Sequence, residues 1–182
     1  MSPIDIAFQN GHLDIMKYLI EQGADVNSTD NDGMSLISKA IVKKSKDSVD
    51  LVEYLIEKGA KINRQSNDGW TPLHEAVQVG NKDMVQTLID HDAFVNAADI
   101  NGWTPLHEAS NKGNLEIFKL LVENGANPNT SVVSTSYDGR GRTTVVHTTP
   151  ISIAQNRGST IVNYLKNRPS RFTSNRLAVH NK

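Results

Sequence analysis

The chain has 182 residues, 37% hydrophobic and 21% charged with a net charge of −1, which excludes a disordered polymer and fits one compact domain or a short array. No apolar run approaches the roughly 18 residues of a bilayer-spanning helix, and Met1-Ser2-Pro3-Ile4-Asp5-Ile6 lacks the basic start and apolar core of a signal peptide. With no cysteine, disulfides, thiol catalysis and cysteine-held zinc are excluded, and a cytoplasmic location is expected.

The chain is organised around Asn67-Asp68-Gly69-Trp70-Thr71-Pro72-Leu73-His74-Glu75-Ala76, which recurs as Asn101-Gly102-Trp103-Thr104-Pro105-Leu106-His107-Glu108-Ala109. From Trp70 to Trp103 is a step of 33 residues, the mark of stacked repeats. Ser2-Pro3-Ile4-Asp5-Ile6-Ala7 opens a first unit on a helix, with Ile15, Leu19 and Ile20 at helical spacing behind it. A minimal cap and a fragment of a longer array both fit that start. The second unit has a turn at Asp30-Asn31-Asp32-Gly33, but Ser35-Leu36-Ile37-Ser38-Lys39-Ala40 has lost the motif Pro and His. Its spacing runs three residues over the period, and the surplus is expected in a turn around Lys43-Lys44-Ser45-Lys46-Asp47.

The third and fourth units keep the period. Asp92 stands where neighbouring units have Gly at a helix end, a left-handed position that favours Gly. A fifth motif, Thr149-Pro150-Ile151-Ser152-Ile153-Ala154, arrives 12 residues late, and the surplus falls in Ser131–His147. β-Branched residues on both sides of Asp138-Gly139 predict a hairpin about 20 Å longer than an ordinary finger. Residues 139–182 hold eight Arg and Lys and no acid. An anionic partner and a solvated terminus both explain that basic edge.

The period and Thr-Pro-Leu-His-x-Ala motif resemble the ankyrin-repeat family, over roughly residues 1–168. The resemblance implies an all-α solenoid of about five helix-turn-helix units (about 1–27, 28–63, 64–96, 97–129 and 130–168) with β-turn fingers. One finger is extended into a β-hairpin, and 169–182 form a basic tail. Thr can cap the first helix of each unit and Pro suits its first turn, while Gly80, Gly113 and Gly158 can end first helices. The resemblance makes His74 and His107 structural ties, each bonded to its Thr and to the next repeat.

The resemblance also implies a protein partner, met by finger tips and first helices on a concave face. That surface comprises Asn31, Asp32, Met34, Val42, Lys43, Asn67, Asp68, Trp70, Gln78, Val79, Ile100, Asn101, Trp103, Asn111 and Lys112. Tyr137, Arg140 and Arg142 extend it onto the hairpin, where Gly139-Arg140-Gly141-Arg142 matches no phosphate loop. Trp70 and Trp103 fit packing along the stacked turns better than anchoring. His74-Glu75 and His107-Glu108 lack the second His of a zinc helix four residues on. No catalytic, metal or cofactor residues are assigned. A monomer and no membrane contact are expected, with nucleic-acid binding at the basic edge as the alternative.

Overall fold

Thr71 and Thr104, both buried, precede two helices that begin on Pro72 and Pro105, where a missing N–H costs nothing. The same logic repeats along the chain in a computed structural model that describes residues 2–137, 143–157 and 160–166. Among the described residues there are ten α-helices: α1 (Pro3–Gln9), α2 (Leu13–Glu21), α3 (Leu36–Val42), α4 (Ser48–Glu57), α5 (Pro72–Val79), α6 (Lys82–Asp90), α7 (Pro105–Lys112), α8 (Leu115–Glu123), α9 (Pro150–Asn156) and α10 (Thr160–Lys166). Two strands, β1 (Val132–Tyr137) and β2 (Thr143–Thr148), form one antiparallel sheet.

Helices pair as hairpins, α1 with α2, α3 with α4, and so on to α9 with α10. The first helices stack in a row, α3 on α5 on α7 on α9, and the second helices α4, α6, α8 and α10 stack behind them. Among the described residues no helix has more than ten residues, too short to bury an apolar face by itself. The core therefore runs along the stack. Ala76 and Ala109, fully buried, let the paired helices approach, while Met84, Val85, Leu88, Ile117, Phe118 and Leu121 fill the seam from the second helices.

Gly80 and Gly113 end α5 and α7 at φ +80° and +70°, as expected; Gly158 lies outside the described residues. Asp92 adopts φ +65° after α6, the strained conformation read from its place in the period. The surplus of the second unit falls in residues 43–47, five residues between α3 and α4 where α5 and α6 are joined by two. Lys44 there takes φ +52°, a strain the sequence did not reveal.

The lost motif of α3 is compensated by charge. Lys39 Nζ lies 2.8 Å from Asp5 on α1 and 3.2 Å from Asp30, with Asp5 only 1% exposed. Burial alone would raise the Asp5 pKa, but the bonds from Lys39 and Ser2 outweigh it and hold the carboxyl below its ordinary value.

Neighbouring units are also stitched through their turns. Asn67 N–H donates to the Asp32 carbonyl at 2.9 Å and Ile100 N–H to that of Asp68 at 3.1 Å. Gly69, at φ +80°, lies against this seam, and a Cβ there would meet the Ile100 nitrogen at 2.7 Å. On the other edge, Asn27, Asn63 and Asn96 form a ladder. Their amides donate to the carbonyls of Gly59, Asp92 and Gly125 and accept from the N–H groups of Lys61, Phe94 and Asn127, at 2.8–3.1 Å. The ladder satisfies backbone groups that a helix end would otherwise expose.

Candidate binding surface

The motif histidines lock the fingers to the helices. The Thr71 N–H donates to His74 Nδ1 at 3.1 Å, and His74 Nε2 lies 3.1 Å from the Trp103 carbonyl. A carbonyl only accepts, so Nε2 carries the proton and the neutral ring is fully used. His107 repeats this with Thr104 and, at 3.4 Å, with the Thr148 carbonyl where β2 ends. Burial pushes both imidazole pKa values down, against the opposing bonds to those carbonyls. Each indole packs on its own histidine, with ring centroids 5.5 Å apart for Trp70–His74 and 4.9 Å for Trp103–His107. The histidines are therefore structural ties, and among the described residues no three acidic or imidazole groups are grouped to hold a metal.

Between the turn at Asp32–Met34, the turn at Ser66–Trp70 and the exposed side of α5 lies a pocket of about 300 Å³. Asp32, Met34, Ser66, Asp68, Trp70, Glu75 and Gln78 line it. The surface read from sequence included five of these and missed Ser66 and Glu75. Glu75 is 9% exposed, and its carboxyl meets no donor or cation among the described residues. Burial raises its pKa to about 7. A signal for it existed: Glu108 has Lys112 four residues on, but the matching residue after Glu75 is Val79.

The remaining predicted residues divide by role. Asn67 is a tie, donating from Nδ2 to the Asn31 carbonyl at 2.8 Å. Lys43 donates to the Phe8 carbonyl at 3.0 Å and sits over the Phe8 ring. Val42 is exposed on α3 and Val79 half-buried against the core. Ile100, 69% exposed, and Asn101 stand at the next finger tip, where the Asn101 N–H donates to Asp99. Trp103 gives its indole N–H to Glu108 at 3.2 Å, Lys112 lies 3.7 Å from Glu108, and Asn111 is half-buried beside them.

The hairpin forms in the expected place. Val132 pairs with Thr148 and the register runs without a break to Tyr137 opposite Thr143. Val133, Val145 and Val146 are 56%, 51% and 45% exposed, and no further strand joins the sheet among the described residues. Arg140, Arg142 and the tail at 169–182 lie outside the described residues.

Stacked helix pairs, a Thr–His tie to the next unit and a β-turn finger between pairs define a helical repeat solenoid. A family model described as ankyrin repeats in three copies matches residues 1–66 and 40–132, and the chain belongs to that family. As a class these repeats are protein–protein interaction modules and typically non-enzymatic. Over 34 residues the chain is 44% identical to alpha-latrotoxin-Lt1a of Latrodectus tredecimguttatus. The shared stretch is 19% of this chain and 2% of the toxin, the length of about one repeat. Among the described residues no helix is long and apolar enough to cross a membrane.

Proposed function

We propose that this chain is a non-enzymatic, monomeric, cytoplasmic interaction module that binds a protein partner through its fingers, the exposed sides of its first helices and the long hairpin. In this reading the five helix pairs are five repeats, at about 1–27, 28–63, 64–96, 97–129 and 130–168, followed by a basic tail. The hairpin carries the argument. A two-stranded sheet alone in water is marginally stable, and this one exposes Val133, Val145 and Val146. An exposed sheet edge with apolar side chains is a ready surface for another chain. The row of fingers beside it offers the extended face on which repeat proteins bind.

Deletion of residues 136–142 tests this reading. Affinity capture from native extract with the intact chain should retain a discrete protein through moderate salt. The deletion should lose that protein while the melting temperature stays nearly unchanged. A large drop in melting temperature would make the hairpin a structural cap instead. Nucleic acid that elutes as salt rises would favour the basic edge, since counterion release makes such binding steeply salt-dependent.

A further inference from the structure

We propose that the pocket between α5 and the turns before α3 and α5 is a socket for one basic side chain of the protein partner, a lysine or arginine, with Glu75 as its buried counter-ion. The proposal deepens the interaction-module reading and rests on it. At about 300 Å³ the pocket is at the small end for a ligand site, a size for one side chain. Its lining carries three carboxyls, Asp32, Asp68 and Glu75, and no cation. Asp32 and Asp68 are exposed at the rim. Glu75 lines the same pocket, 9% exposed and without a partner among the described residues. A carboxylate that has lost most of its water and has no donor gains from a cation that pairs with it.

The wall and the neighbouring repeat point to the same occupant. Trp70 lines the pocket, and its N–H is already given to Asp99 at 3.3 Å. What its indole has left to offer is the ring face, which attracts an ammonium or guanidinium. One repeat on, the equivalent Glu108 receives a cation from its own chain, Lys112 at 3.7 Å, together with the Trp103 N–H. Val79 stands where that lysine would be, so the partner supplies the charge. A metal is a poorer fit, because the acids are not grouped as ligands.

Several charged and titratable groups on the packed elements are engaged elsewhere. Lys39 of α3 is held by Asp5 and Asp30. His74 is kept neutral by burial. Lys82 at the start of α6 reaches Glu116, and Glu108 and Lys112 of α7 pair with each other. Asp99 accepts from Trp70. Burial raises the Glu75 pKa to about 7, so the socket gains its full charge only above neutrality or when a cation enters.

The test is NMR of the full chain, reading the Trp70 indole N–H and the Glu75 carboxyl carbon. The probes are Nα-acetyl-lysine methylamide and Nα-acetyl-arginine methylamide, with Nα-acetyl-norleucine methylamide as the neutral control. The expected result is a saturable response at both signals to at least one basic probe and none to norleucine. Binding should be about tenfold tighter at pH 8 than at pH 6, because only the ionised fraction of Glu75 is competent. Glu75→Gln and Val79→Lys should each weaken it about tenfold or more, the second by closing the socket from within the chain. An equal response to norleucine, or binding that neither pH nor Val79→Lys alters, overturns the socket. Capture of one protein equally by the intact chain and by Val79→Lys, with no probe response, sinks the socket but leaves the interaction module standing. Probe binding with no protein ever captured does the reverse.

Discussion

The finger and first helix around Trp70 and those around Trp103 share the eight residues from Gly69 to Ala76 and from Gly102 to Ala109, yet they present different surfaces. The buried half of each motif is the same: Thr, His and the carbonyl of the next unit make one tie. The exposed half diverges because of residues outside the motif. Trp70 finds Asp99 in the next finger, whereas the residue 33 steps beyond Asp99 is Val132, whose side chain accepts nothing, and Trp103 turns to Glu108 instead. Lys112 then completes the pairing of Glu108, and Val79 leaves Glu75 alone. Shared residues set the scaffold; their neighbours set what the scaffold offers.

The sharpest way to break the comparison is to remove the lone acid. Folded Glu75 keeps its proton to about pH 7, while the unfolded side chain loses it near the ordinary value of 4.5. The folded state therefore holds the extra proton, and stability falls as pH rises from 4.5 to about 7. Urea unfolding of Glu75→Gln against the parent chain should show a difference that grows over that window. It should reach at most about 3 kcal/mol in favour of the variant above pH 7. A difference independent of pH would mean that Glu75 ionises normally.

The ties themselves should come next. His74→Ala should cost about 2–3 kcal/mol, since it leaves a buried carbonyl and the Thr71 donors unpaired. His107→Ala should cost less, about 1–2 kcal/mol, because its cross-unit contact is 3.4 Å against 3.1 Å. Both imidazole pKa values are depressed, so their contribution is complete above about 6.5 and is lost as pH falls through the folded values. Equal costs for the two alanine variants would erase the distinction between a finger and a hairpin as the tie's acceptor.

Exchanging the flanking residues should convert one surface into the other at smaller energy. Val79→Lys should bring the Glu75 titration down from about 7 and stabilise the chain at pH 8 by about 0.5–1 kcal/mol. A carbonyl NMR titration of the variant checks this, and an unmoved Glu75 would show that the lysine stays in solvent. Asp92→Gly should have the smallest effect, a gain of about 0.5–1 kcal/mol from relieving φ +65°, read from the urea midpoint. No gain would mean that the Asp side chain offsets its own strain.

Legibility in the sequence followed locality. The helix starts at Thr71, Thr104 and Thr149, the lengthened turn at 43–47 and the hairpin between Val132 and Thr148 were readable. Caps, turns and alternation are short-range and residue-specific. The asparagine ladder was harder to find: Asn27, Asn63 and Asn96 recur once per unit, but an exposed Asn after a helix fits any loop. Lys39 was legible only as a departure from the motif, because its partners Asp5 and Asp30 come from other elements. Trp70 was read as packing, and it both packs on His74 and lines a pocket.

By itself, the sequence determined the repeat, its period, its irregular units and the unbalanced charge of its two ends. Those are properties of spacing and residue type along one chain. Only the tertiary structure decided that Met34, Asp68, Trp70 and Gln78 meet in one pocket and that Glu75 lies buried within it. The pocket's walls come from turns 36 residues apart, brought together when helices too short to bury their own faces stack into one core. What such a carboxyl has to pair with depends on the residue four places on along its own helix. At Glu108 that was a lysine; at Glu75 it was a valine.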